Sequence, residues 1–236
     1  MFTYLNLCIY LKLMENTIMY MLSYLKCFFV YNLSNQFVYN ILEYMNYEYK
    51  EDRLNYISKN ISKSLILIYI CIYGYSKVFD ALYYNRWDNE FIYQLGILYS
   101  SHDILSLYNY YNILSSTTKL HHFSVLILSI ANLNIDYTKD TIWRGLVAYA
   151  FYSALAFYVN TFLGSRFLIN RKRTYIISKV AYYVYLLSCF INWSYQICYF
   201  YNFYAINYYH TLIYTFLASM LVNDDVILLK FLYDYQ

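Results

Sequence analysis

Residues 91–134 read FIYQLGILYSSHDILSLYNYYNILSSTTKLHHFSVLILSIANLN. An apolar run carries one embedded acid, Asp103. A polar break follows at residues 115–119 (SSTTK), and a second apolar run then opens on His121 and His122. This layout predicts two antiparallel helices joined by a short turn, each apolar enough for a lipid environment. An acid inside such a run must face protein, pair with a cation or hold a proton, because an unpaired charge in hydrocarbon is costly.

The rest of the chain agrees with that environment. Of 236 residues, 61% are hydrophobic and 13% charged, and the mean hydropathy is +0.32. A water-soluble domain carries about a quarter charged residues, so there is too little polar surface here to cover a soluble globule. The 37 tyrosines and the absence of proline follow the bias of AT-rich codons, so aromatic belts are a poor guide to membrane boundaries. The net charge of +3 is small and scattered, which argues against nucleic acid as a partner. Cys8, Cys27, Cys71, Cys189 and Cys198 all lie in apolar runs without a C-x-x-C pair. They read as free thiols acting as small hydrophobes.

Outward from the central stretch, the apolar runs predict an all-α integral membrane bundle of six to seven transmembrane helices. Residues 1–16 resemble an interfacial helix more than a cleaved signal, since no basic n-region precedes them. A first candidate crossing covers about 17–33, with Lys26 inside it. Residues 43–63 hold four acids and four bases and read as a solvated loop or surface helix, with a lipid-headgroup site as the sharper alternative. Further crossings are expected at 64–78, 91–114, 120–135 and 145–165. Residues 180–223 carry no charge and are about twice the length one crossing needs. Two helices with a turn near 201–207 are therefore expected, followed by a short mixed tail from Asp224. Seven crossings with a cytoplasmic C-terminus place eleven Lys and Arg inside and five outside, leaving Lys26 aside, in the sense of the positive-inside rule. The chain divides into an N-terminal segment, residues 1–54, and a transmembrane domain, residues 55–232.

The candidate polar site is small. Histidine suits acid–base work near neutral pH, so His121 and His122, opposite Asp103 on the preceding helix, are the candidate catalytic residues. The competing reading is an interhelical hydrogen bond with no chemistry. Consecutive helical residues do not share a face. At most one of the two histidines is therefore expected to reach a pocket shared with Asp103, and His102 need not meet Asp103 at all. His210 is a possible third partner. No H-x-x-x-H or E-x-x-H spacing occurs, so no metal and no bound cofactor are expected. Walker, G-x-G-x-x-G and G-x-S-x-G patterns are absent as well.

These residues carry a resemblance. A span with an Asp (YSSHDILSLYNYY), a short turn (ILSSTTK) and a span opening on His-His (LHHFSVLILS) resemble the TLC-domain family, the membrane domain shared by ceramide synthases and several small multi-span proteins. Upstream, RLNYISKNISKSLILI looks like that family's first entry into the membrane. Downstream, AFYVNTFLGSRFL is similar to the segment that in many small members reads Glu-Leu-Ser-x-Pro-Phe and then Asn-x-Arg-Trp, with Asn160 and Arg166 matching and the acid and proline missing. The resemblance implies an endoplasmic-reticulum protein in lipid homeostasis, binding or sensing, with membrane lipids as partners. Ceramide synthases carry a further His-Asp-x-x-Asp segment, whereas RGLVAYAFYSALAF here has no acid.

That departure favours a lipid-binding or lipid-regulating member. The alternative is a divergent lipid N-acyltransferase, with acyl-CoA as co-substrate. In that case His121 or His122 is the general base and Asp103 its orienting partner. A third reading is a structural subunit of an organellar membrane complex. Homo- or hetero-oligomers are compatible with all three.

Overall fold

The structure, a computed structural model, describes residues 2–45, 49–112, 114–206 and 208–235, with side chains from residue 14 onward. It is helical, and no strand occurs among the described residues. The helices are α1 (Phe2–Tyr44), α2 (Glu51–Tyr84), α3 (Asn89–Tyr110), α4 (Ser116–Asn132), α5 (Gly145–Ala154), α6 (Phe157–Ser165), α7 (Arg171–Phe203) and α8 (Tyr208–Asp234). A 3-10 turn, Ile142–Arg144, leads into α5.

Local chemistry sets the helix ends. Asp88 caps α3 by accepting from the Phe91 N–H at 3.2 Å, Ser115 caps α4 through Thr118 at 3.2 Å, and Asn170 caps α7 through Arg173 at 3.0 Å. Each satisfies one of the donors a helix start leaves free. Asn85 ends α2 in the left-handed region (φ 55°), which Asn tolerates better than most residues.

Neighbouring helices close a ring. α2 packs on α3, α3 on α4, α4 on α8, α8 on α7, and α7 on α5 and α6, which return to α2. α1 lies outside this ring against α2 and α3. Gly164 on α6 lets that helix approach α2 closely, because a Cβ there would lie 2.8 Å from the Ile61 side chain.

Large apolar side chains such as Ile72, Phe190, Ile197 and Phe216 are exposed, while Ser62, Ser101, Asp103, Asn132 and Asn192 are buried beside an apolar core that includes Ile57, Ile70, Phe162 and Leu221. An apolar outer surface with the polar groups of the helices turned inward is the pattern lipid demands. Among the described residues, four segments are long and apolar enough to cross a membrane: α2, Ile142–Ser165, α7 and α8. The chain therefore has the make-up of an integral membrane protein.

Several expectations change. Of residues 43–63, expected as a solvated loop or surface helix, residues 51–63 are helical but not merely a surface: they form the first turns of α2, with Ile57, Ser58 and Ser62 buried. Residues 17–33 lie within the 43-residue α1, which also takes in residues 2–16. The uncharged run 145–165 is two helices, α5 and α6, broken at Leu155 and Ala156. There the backbone tightens into i+3 bonds, Leu155 to Tyr152 and Ala156 to Ser153. Hydroxyls of neighbouring helices reach carbonyls on either side of the break. Ser188 donates at 2.5 Å to Tyr152 O, which takes part in the tightened turn, and Ser64 donates at 3.0 Å to Phe157 O in the first turn of α6, the kind of contact by which broken helices are tolerated at membrane depth. The turn after α7 falls at residues 204–206, within the expected stretch, and Asn207 lies outside the described residues. The supposed tail from Asp224 is the continuation of α8. Cys27, Cys71, Cys189 and Cys198 are free, with Cys189 buried and Cys198 exposed rather than buried. The Cys8 side chain lies outside the described ones.

Candidate functional site

The centre of the site is Asp103, buried on α3 at 2% exposure. It lies seven residues from the C-terminal end of α3, about 10 Å along the axis. α4 runs back beside it and brings both histidines of its second turn to the same carboxyl. His122 Nδ1 is 3.2 Å from Oδ1, and His121 Nε2 is 3.7 Å from Oδ2. Adjacent helical residues point about 100° apart. They nevertheless meet one carboxyl because it lies between them and each uses a different ring nitrogen. The expectation that only one could reach Asp103 is therefore corrected. His102 also meets Asp103, with Nδ1 3.4 Å from Oδ1, while its ring lies against Tyr31.

Two further groups complete the cluster. Lys63 on α2 donates to Asp103 Oδ1 at 3.1 Å. Asp224 on α8 places Oδ2 3.2 Å from His121 Nδ1. His121 is thus bracketed by two carboxylates from different helices. Next to Asp224, Asp225 is buried and accepts from Tyr185 at 2.7 Å, Tyr149 at 3.1 Å and Trp193 at 3.3 Å. Three donors hold it in place, as a buried carboxylate requires.

These groups line a cavity of about 530 Å³ inside the helical ring. Lys63, Asp103, His121, His122 and Asp224 form its polar wall, and Leu67, Val159, Leu163 and Leu228 an apolar one. Tyr56, Lys59, Tyr110 and Thr118, near the ends of α2, α3 and α4, line it toward one end of the bundle. The break between α5 and α6 lies on the cavity, with Ser153 and Ala156 in its lining. A site with a charged side, an apolar side and an end-facing opening suits an amphiphile.

Asp103, His121 and His122 each offer one ligand atom, and these atoms lie within 4.8 Å of one another. The sequence spacing did not predict this three-donor set. His210 is not part of it. It stands at the other end of the bundle, where Trp143 Nε1 donates to its Nδ1 at 3.4 Å. The sequence reading missed Lys63, hidden in a charged run, and Asp224 and Asp225. A signal for the two acids was present, because the apolar pattern resumes directly after them in VILLKFL.

The opposite end of the bundle holds a second buried charge with a structural task. Arg144 donates to Tyr137 O at 3.0 Å, Thr138 O at 3.0 Å, Asn85 Oδ1 at 3.2 Å and Asp140 Oδ1 at 2.7 Å, and it stacks over Trp87. It ties the end of α2 to the segment between α4 and α5. Two carboxyls at this end are held below their ordinary range. For Asp88 the causes are the Phe91 N–H and Lys77, and for Asp136 the Thr138 hydroxyl and the Asn89 amide.

Comparison with family models, with curated proteins and with solved structures finds no match to this chain.

Proposed function

We propose that this is a multi-pass membrane protein of seven crossings that takes a lipid into the ring cavity, with the polar head against Asp103, His121, His122 and Lys63. The single observation carrying this reading is the convergence of four helices' polar side chains on an amphipathic cavity inside an apolar bundle. α1, α3 and α4 are the crossings added to the four most apolar segments. For α3 and α4 the polar cargo, Asp103 and the histidines, explains their lower hydropathy. The cavity opens toward the end that carries Lys50, Lys119, Arg171 and Arg173, which supports a cytoplasmic opening and a cytoplasmic C-terminus. The resemblance to TLC-domain proteins supports lipid homeostasis as the role and the endoplasmic reticulum as the membrane.

Native mass spectrometry of protein purified in mild detergent tests this. Wild type is expected to retain lipid, and Ser153→Trp, which fills the cavity, to lose it. Equal lipid on both proteins would sink the reading.

A second reading, lipid acyl transfer, is favoured by His122, which lines the cavity with Asp103 beside its Nδ1 alone. A carboxylate on one side of an imidazole leaves the other ring nitrogen to take a proton from an attacking amine or hydroxyl as the CoA thiol leaves the acyl group. Incubation with a long-chain base and acyl-CoA separates the readings. Turnover lost in His122→Ala would establish transfer, and lipid retention without turnover would leave binding alone.

A further inference from the structure

We propose that Asp103, His121 and His122 form a binding site for one divalent transition-metal ion, with Zn2+ as the first expected occupant. The proposal rests on the reading of the ring cavity as the functional site, not on any reaction there.

Four observations carry it. The first is spacing. Donors about 2.0–2.1 Å from a tetrahedral ion lie roughly 3.3–3.4 Å from one another. His122 Nδ1 to Asp103 Oδ1 is 3.2 Å and His121 Nε2 to Asp103 Oδ2 is 3.7 Å, each near that value on its own carboxylate oxygen, and one ligand atom from each of the three residues lies within 4.8 Å of the others, a set that closes on an ion by small side-chain rotations. The second is the orphaned state of the donors. His122 is 6% exposed, yet its Nδ1 lies beside Asp103 without forming a hydrogen bond. A buried ring nitrogen that close to a carboxylate, yet misaligned for a proton between them, is placed to share a third atom. The third is the outer partner. His121 Nδ1 lies 3.2 Å from Asp224 Oδ2, without a hydrogen bond between them, so a His121 that binds metal through Nε2 has a carboxylate within reach behind it. Once aligned, that carboxylate–histidine–metal order fixes the ring and raises its basicity. The fourth is access, since the three donors line one side of the cavity and leave the other side of the ion open to it.

The donor set, two imidazoles and one carboxylate, suits Zn2+ with open positions, and Fe2+ as well. Lys63 is the competitor. Its ammonium occupies the cation position on Asp103 Oδ1, and ion entry requires it to turn away. Its side chain is partly exposed at 23%, so it has room to do so and then faces the head of a lipid on the ion. With the ion in place both imidazoles are ligands. Neither is then a free base, so the metal and the acyl-transfer reading compete for the same imidazoles.

The test is metal content and Co2+ absorption of the full-length protein in detergent, after dialysis against Zn2+ or Co2+ and removal of free ion. One ion per chain is expected, with ligand-field bands for Co2+. His122→Ala and Asp103→Asn are expected to lose both signals. Asp224→Asn should weaken affinity by about 10–100-fold, as outer-partner changes do. Lys63→Met should tighten it by at least about tenfold, because a like charge leaves the site. That gain is the discriminating result, since a purely structural Lys63–Asp103 pair predicts none. His210→Ala, distant from the site, should change nothing. The proposal is overturned if wild type and Lys63→Met both come through without an ion, or if His122→Ala retains as much as wild type. Lipid retained without metal refutes the ion and leaves the lipid reading standing. Metal retained without lipid does the reverse.

Discussion

Asp103 carries one carboxylate, and four nitrogen-bearing side chains crowd it: Lys63, His102, His121 and His122. Such a cluster is costly to assemble and costly to break. Removing one partner of a buried charge pair destabilises by about 3–5 kcal/mol. The partly exposed Lys63 places Asp103→Asn at or below the low end of that range. Asp103→Asn should lower the unfolding midpoint, and adding Lys63→Met should restore part of the loss. A double-mutant cycle by thermal unfolding in detergent measures this coupling, and strict additivity would show that the pair contributes nothing. Arg144 gives a second test at this scale. Arg144→Ala leaves the Tyr137 and Thr138 carbonyls without their donor, for a loss on the order of 3 kcal/mol, while cavity binding should be unchanged because the residue sits at the far end. Sequence reading picked out Asp103, His121 and His122, since a charge or an imidazole in an apolar run stands out. It missed Lys63 and Asp224 because their neighbours in sequence are also charged or lie near a terminus. Only the ring of helices brings them to Asp103.

Among the elements, the break between α5 and α6 is the departure that sequence could not show. It has no proline and no glycine at Leu155–Ala156. Ser188 on α7 adds a hydrogen bond to the Tyr152 carbonyl at the tightened turn. Ser188→Ala should cost about 1–2 kcal/mol and loosen the cavity wall at Ser153, seen as faster hydrogen exchange there. Unchanged exchange would mean that the break holds itself. The caps at the far end make a pH prediction. Asp88 and Asp136 have folded-state carboxyls held below their unfolded range. Their stabilising effect is therefore complete above the unfolded value, near pH 4, and is lost as pH falls below it. Unfolding followed from pH 6 to pH 3 should show stability dropping toward the acid end, with a smaller drop in Asp88→Asn. An identical drop in that variant would remove the cap from the account. The all-helical class and most turn positions were legible because apolar runs and polar breaks alternate, whereas the helix count was not, since residues 2–33 share one helix and 145–165 hold two. The extent of α2 was not, because amphipathic first turns with buried Ile57 and Ser62 look like a charged loop when read residue by residue.

For the whole molecule, an apolar exterior and the burial of the embedded polar groups follow from one constraint, that lipid cannot hydrogen-bond. Composition alone made that legible. The closure of α2 through α8 into a ring, with α1 outside, was not, because it depends on which helices touch. Ring closure is what turns scattered Ser, Asn, His and Asp into a lined cavity. Cysteine accessibility mapping tests the crossing count. Single cysteines at Asn112, Asn170 and Tyr235 should be modified from one face of the membrane, and at Asn134 and Tyr204 from the other. Any exchange between the groups would break the seven-crossing topology. The central claim, a lipid held inside the ring, is tested most directly by cross-linking with a photoreactive group near the head of a long-chain lipid. The account predicts label on peptides of α2, α3, α4 and α8 that line the cavity, including those with Asp103 and His122, and its loss in Ser153→Trp. Label confined to the outward faces, around Ile72, Phe190 and Ile197, and unaffected by Ser153→Trp, would contradict it.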